Sequence, residues 1–235
     1  EKNVHSNLLQ VDKTQATSLV KVKLDRSGSA SYDIVYPCAW DRIEVEPAAL
    51  ARVAESDAFI FGSLSTRDEV SRASLAQLLE QAKFKIFDVN LRPPHYDIER
   101  ILATMKLADL VKLNDDELHE IASTLGSKYH SLEQNIRFLA DLSGAAKICV
   151  TLGSHGAMYY QEGQIYHNSG FRVKVADTVG SGDSFLAGLT YKLLNAAAPQ
   201  EALAFACALG ALVASYHGAT PEISLQQIES FMHPA

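Results

Sequence analysis

Residues 17–24 and 31–36 alternate in hydropathy with period two: Leu19, Lys21 and Lys23 oppose Val20, Val22 and Leu24, and Tyr32, Ile34 and Tyr36 share one side. The alternation predicts two strands, and Arg26-Ser27-Gly28-Ser29 between them predicts a hairpin turn. After Pro47 the pattern changes. Short apolar runs at 58–61, 85–89, 110–113 and 148–152 predict buried parallel strands, and helical periods over 67–82, 97–107, 115–125 and 131–142 separate them. Strand-helix alternation of this kind builds a parallel sheet with right-handed crossovers. Residues 156–175 predict short strands joined at Glu162-Gly163 and Asn168-Ser169-Gly170, and helices over 183–195, 199–216 and 224–232 close the chain.

Composition narrows the function classes. The 235 residues suit one α/β domain with a small appendage, and 47% apolar content supplies a sizeable core. A net charge of −7 with scattered Lys and Arg argues against a nucleic-acid surface. The apolar stretch 202–216 is shorter than the roughly 20 residues of a membrane span, so neither nucleic acid nor membrane is an expected partner. Cys38, Cys149 and Cys207 are distant from one another in sequence and odd in number, and the eight histidines show no metal-binding spacing. Inert thiols in a reducing cytoplasm are the expectation.

The densest chemistry lies in Asp177-Thr178-Val179-Gly180-Ser181-Gly182-Asp183, between a strand-like run at 171–175 and a helix-like run at 184–194. Small residues at 180–182 let backbone N–H groups converge on one spot, and the following helix aims its positive dipole end there. Asp183 adds a carboxylate. An anion site beside a base suits phosphoryl transfer to a hydroxyl: Gly180, Ser181 and Gly182 N–H groups hold phosphoryl oxygens and Asp183 takes the proton. No Lys-Ser/Thr follows the glycines, which excludes a P-loop. A dinucleotide fold is a competitor through Gly180-x-Gly182, but Phe185 stands at the third glycine position and the run comes late in the chain.

This run resembles the C-terminal signature of the ribokinase-like (PfkB-type) carbohydrate kinases, with Ser181 in place of the commoner Ala and with Phe185, Ala187 and Gly188 continuing the pattern. The resemblance covers essentially the whole chain and implies an α/β fold: a ribokinase-like three-layer sandwich, a mostly parallel central sheet and a small β lid. Residues 15–40 are expected to form part of the lid, which often dimerises in the family and implies a homodimer. Residues 41–235, with 1–14, are expected to form the kinase core. The family's glycine pair and sugar-binding Asp and Asn have no counterpart, so the core is expected to lack an N-terminal strand-helix-strand portion.

Further segments carry family roles by resemblance. Asp88-Val89-Asn90-Leu91-Arg92-Pro93 is similar to a segment of fructokinases and 2-keto-3-deoxygluconate kinases, implying that Asn90 and Arg92 meet acceptor or phosphoryl group; a surface turn is the competing interpretation. Asn114-Asp115-Asp116-Glu117 reads as a helix N-cap with a capping-box partner. The resemblance adds a role for Asn114 and Glu117 at Mg²⁺, through water. Thr151, Gly153, Gly156 and Thr178, with Gly182 and the small-residue helix around Ala211, are implied to bind ATP. Gly218 and the carbonyls near Asp177 and Val179 are implied to hold K⁺. The expected activity is ATP-dependent phosphorylation of a sugar, fructose above ribose or ketodeoxygluconate, with a non-catalytic sugar- or nucleotide-binding protein of the same fold as the alternative.

Overall fold

The structure, a computed structural model, describes residues 4–24 and 30–233. Strands β1 (Val20–Leu24) and β2 (Ala30–Ile34) pair antiparallel, Val20 opposite Ile34, as the alternation predicts. The turn expected at Arg26 to Ser29 lies outside the described residues.

A six-stranded sheet forms the body, in the order β3 (Phe59–Gly62), β4 (Lys85–Asp88), β5 (Leu110–Asn114), β6 (Lys147–Thr151), β7 (Ala157–Gln161) and β8 (Gln164–Asn168). β3 to β6 run parallel; β7 pairs antiparallel with β6, and β8 antiparallel with β7. The helices are α1 (Pro47–Glu55), α2 (Glu69–Gln81), α3 (Ile98–Met105), α4 (Asp115–Thr124), α5 (Leu132–Ser143), α6 (Ser181–Leu194), α7 (Pro199–Ala214) and α8 (Leu225–Met232). None among the described residues is long and apolar enough to cross a membrane.

Alternate strand residues face opposite layers. Phe87, Val111, Leu113 and Val150 pack with Leu79 of α2, Ile101 of α3, Ile121 of α4 and Leu139 of α5. On the other face Ile86, Leu110, Cys149 and Tyr159 pack with Leu189 of α6 and Leu203 and Ala206 of α7. Burial on both faces is why these strands read as continuous apolar runs. Cys38, Cys149 and Cys207 are free and buried, and burial pushes the Cys207 thiol up to about 12.

One helix was not anticipated and one expectation changes. Residues 47–55 form α1, opened by Pro47, whose fixed φ and missing N–H suit the first helical turn. Residues 171–175, expected as a strand, form no ladder. Phe171 packs on Phe231 of α8 with ring centroids 5.3 Å apart, and the next N–H groups, of Ala176 and Asp177, donate to the Ala214 carbonyl at 2.9 and 3.3 Å. The segment therefore crosses the end of α7 and leaves β8 at the sheet edge.

The base of the hairpin is tied to the body. Arg67 forms a buried ion pair with Asp41 at 2.6 Å, donates to the Val35 carbonyl at 3.0 Å, and stacks 4.0 Å from the Trp40 ring centroid. A ring nitrogen of His95 lies 2.9 Å from the Ile34 carbonyl. His95 follows directly on Arg92-Pro93-Pro94, so the segment at the end of β4 is joined to the hairpin.

Candidate active site

The carboxyl ends of the parallel strands and the amino end of α6 meet at one end of the sheet. Gly180 caps α6 in the left-handed region, φ 80°, and a Cβ there would fall 2.5 Å from the Ala219 carbonyl oxygen. Only glycine fits both conditions. Asp177 braces the turn: its carboxylate accepts from Val179 N–H at 3.0 Å and Gly218 N–H at 3.2 Å, and these two bonds hold its pKa below the usual aspartate value. The Ser181 N–H, expected to hold a phosphoryl oxygen, donates instead to the Thr178 carbonyl at 3.2 Å because the turn closes on itself there, and Ser184 N–H donates to the Gly180 carbonyl at 2.9 Å, whereas Gly182 and Asp183 N–H groups have no partner among the described residues. Two free donors at a helix amino end form an anion site. The Asp183 carboxylate is exposed beside them.

A cavity of ≈ 520 Å³ runs away from this turn between the 153–156 turn and α7. Thr151, Gly153, Gly156, Thr178, Gly182 and Ala211, six residues from three segments of sequence, all line it. Gly156 is required for the shape, since its φ is 84° and a Cβ would meet the Asn168 carbonyl oxygen at 1.9 Å. Gly210 keeps α7 close to α6: a Cβ there would lie 3.2 Å from the Ser181 carbonyl oxygen. The volume lies in the range of small-ligand pockets, about 300–1,000 Å³.

At the end of β4, Asn90 adopts φ 43° and its carbonyl accepts from the Ser63 hydroxyl at 3.1 Å. Asn90 lines a separate hollow with Trp40, Gly62 and Ser63. Arg92 is exposed, donates to the Leu91 carbonyl at 2.9 Å, and lies near enough to Asp88 to favour its charged form.

Asn114 and Glu117 form the expected capping box on α4. One Glu117 oxygen accepts from Asn114 N–H at 2.8 Å and the other from Leu91 N–H at 2.7 Å. Burial raises the Glu117 pKa, opposed by those two bonds and the nearby Lys112. Each oxygen retains a lone pair. Among the described residues no cluster of three or more His, Cys, Asp or Glu forms a cage for a metal. Mg²⁺ needs none, because it keeps several waters and takes one or two carboxylates plus substrate phosphates.

A strand-helix sheet with its anion turn after the last strand has close counterparts. A family model described as pfkB family carbohydrate kinase matches residues 1–225. The chain belongs to that family. Relatives of this pfkB kinase include a fructokinase of Klebsiella pneumoniae, 30% identical over 93% of this chain and 74% of its own length. An aminoimidazole riboside kinase of Salmonella typhimurium is 28% identical over 95% of this chain and 72% of its own. Among solved structures, Vibrio cholerae fructokinase with fructose, ADP and calcium ion superposes with TM-score 0.79 at 25% identity, covering 98% of this chain and 78% of that one. Salmonella enterica aminoimidazole riboside kinase, complexed with aminoimidazole riboside and an ATP analog, gives 0.76 at 27%, covering 97% and 77%.

Three residues that brace the hairpin base and the α6 turn carry no sequence motif. Arg67 and His95 hold the hairpin base. Lys112, in the middle of apolar β5, pairs with Asp88 at 3.0 Å, and its ammonium lies 3.6 Å from where a Gly182 Cβ would stand. A lysine inside a buried strand, with an aspartate at the end of the neighbouring one, was the available signal.

Proposed function

We propose that this pfkB-family kinase transfers the terminal phosphoryl group of ATP to a primary hydroxyl of fructose. The observation that carries the proposal is the single cavity lined by Thr151, Gly153, Gly156, Thr178, Gly182 and Ala211, ending at the free donors of the α6 turn beside Asp183. Adenine and ribose occupy the cavity against Ala211 and the 153–156 turn, and the phosphates reach the turn at Gly180, Ser181 and Gly182, where the Gly182 and Asp183 N–H groups are the free donors.

Asp183 accepts the proton of the attacking hydroxyl. The new bond joins the sugar oxygen to the terminal phosphorus, the bond from that phosphorus to the bridging oxygen breaks, and ADP departs with the electron pair. Asn90 and Arg92 face the acceptor side, Arg92 offering positive charge to the phosphoryl oxygens. Asn114 and Glu117 are the residues that would hold Mg²⁺ through water, where the ion supplies neutralisation of phosphate charge. The carbonyls near Asp177 and Val179, with Gly218, are assigned to K⁺. The β1–β2 hairpin covers the acceptor as a lid.

Fructokinases recur among the relatives, which favours fructose; the aminoimidazole riboside kinase supports a riboside as the second choice. ADP release measured on a panel of fructose, ribose, 2-keto-3-deoxygluconate and aminoimidazole riboside tests the assignment. Fructose is expected to give the highest kcat/KM. A preference of about tenfold or more for another acceptor would overturn it.

A further inference from the structure

The face of the sheet beneath α6 changes character one step before its carboxyl end. Ile86 and Leu110 are register partners on β4 and β5, fully buried under α6 and α7. Two residues on, Asp88 and Lys112 are again register partners on that face, only 9% and 8% exposed. Lys112 is the one buried lysine among the described residues. Its ammonium reaches both Asp88 oxygens, at 3.0 and 3.3 Å, and abuts the open side of Gly182.

That position is electrostatically unusual. The amino end of α6 already carries positive dipole charge and two N–H donors without partners. A buried ammonium against the same turn, paired with Asp88, adds a further positive group that an anion at the turn would meet. The titratable groups nearest the ammonium are Asp88 from β4, Glu117 from α4 and Cys149 from β6, and the charge of Asp183 on α6 acts on Asp88. Asp88 holds Lys112 in place but does not remove its proximity to the turn.

We propose that Lys112 stabilises the charge of the phosphoryl group in transfer at the 180–183 turn, with Asp88 as its positioning residue. The proposal rests on the phosphoryl-transfer role given above to that turn. An ammonium fixed in a site sheltered from water needs no reorganisation as charge shifts from the bridging oxygen to the phosphoryl oxygens, so it acts on kcat more than on acceptor binding.

The test separates this role from simple neutralisation of Asp88. Lys112→Met alone strands a buried carboxylate and is expected to lower both Tm and kcat. The double variant Asp88→Asn, Lys112→Met removes both charges, so Tm is expected to recover toward wild type. Its kcat is expected to stay on the order of 100-fold low, with KM for the sugar within about threefold. Recovery of kcat to within about fivefold of wild type would overturn the proposal. Lys112→Arg, which retains the charge, is expected to keep a tenth or so of wild-type kcat with the pairing intact; a loss as deep as that of Lys112→Met would also overturn it, even if the double variant failed to fold. Asp183→Asn run in parallel distinguishes the two levels. If that variant stays active, the turn is not the transfer centre; if it is inactive while the double variant is active, only the Lys112 proposal fails.

Discussion

Asn114 and Glu117 hold each other's backbone: the Asn114 side-chain Oδ1 accepts from Glu117 N–H, and a Glu117 carboxylate oxygen accepts from Asn114 N–H, both at 2.8 Å. The second Glu117 oxygen crosses to Leu91 N–H and thereby ties α4 to the segment carrying Asn90 and Arg92. Capping leaves a lone pair on each Glu117 oxygen, so the proposed water-mediated Mg²⁺ contact would not compete with it.

Glu117→Gln turns an NH₂ group toward one of those N–H donors. The expected cost is about 1–3 kcal/mol of unfolding free energy, together with a higher Mg²⁺ concentration for half-maximal activity. Asn114→Ala, which removes the cap and leaves the carboxylate, is expected to cost about 1 kcal/mol with a smaller change in Mg²⁺ requirement. Urea titration and Mg²⁺-dependent rates measure the two effects.

The Asp41–Arg67 pair, with side chains 0% and 3% exposed, should govern acid stability. Burial by itself would raise the Asp41 pKa; the Arg67 and Cys38 hydrogen bonds outweigh it and hold the group below 3.8. The sign follows: the contribution is present above the unfolded value near 3.8 and is lost as pH falls through the lower folded value. Asp41→Asn leaves Arg67 buried without its counter-charge, at an expected cost of about 3–5 kcal/mol near neutral pH. Unfolding free energy measured from pH about 6 to about 2.5 should show an acid limb in the wild type that is shallower in Asp41→Asn.

Much of this was legible in the residues, for physical reasons. The strand runs ending at Asp88, Asn114 and Thr151 are apolar because both faces of β4, β5 and β6 are covered, and the glycines at 153, 156 and 180 stand where the backbone takes positive φ. The 171–175 segment misled because alternating Phe171, Val173 and Val175 also serve to line a cavity and pack on α8 without pairing. Arg67 and Lys112 stayed hidden because their partners, Asp41 and Asp88, lie 26 and 24 positions away and meet them only in the fold.

The cavity proposed to hold the nucleotide is open to a steric test. Ala211 lines it from α7, and Ala211→Leu projects three more carbons into it. KM for ATP is expected to rise at least about tenfold, ~1.4 kcal/mol of binding, with fructose KM little changed. Steady-state kinetics with each substrate varied checks the asymmetry.

Gly180 is expected to tolerate no side chain. Gly180→Ala combines positive φ with a 2.5 Å approach to the Ala219 carbonyl, so the turn must shift. A loss of about 1–3 kcal/mol in stability and a fall in kcat larger than that of Gly182→Ala are expected, since a Cβ on Gly182 meets only the Lys112 ammonium at 3.6 Å. Thermal denaturation and turnover of the two alanine variants make the comparison.

The most direct measurement is kcat of Asp183→Asn beside its equilibrium affinity for ATP. Removing the proposed base while keeping its shape should reduce kcat by about 10²–10⁴, with ATP affinity within a few-fold of wild type. Near-normal turnover by Asp183→Asn would contradict the assignment of the 180–183 turn as the centre of phosphoryl transfer.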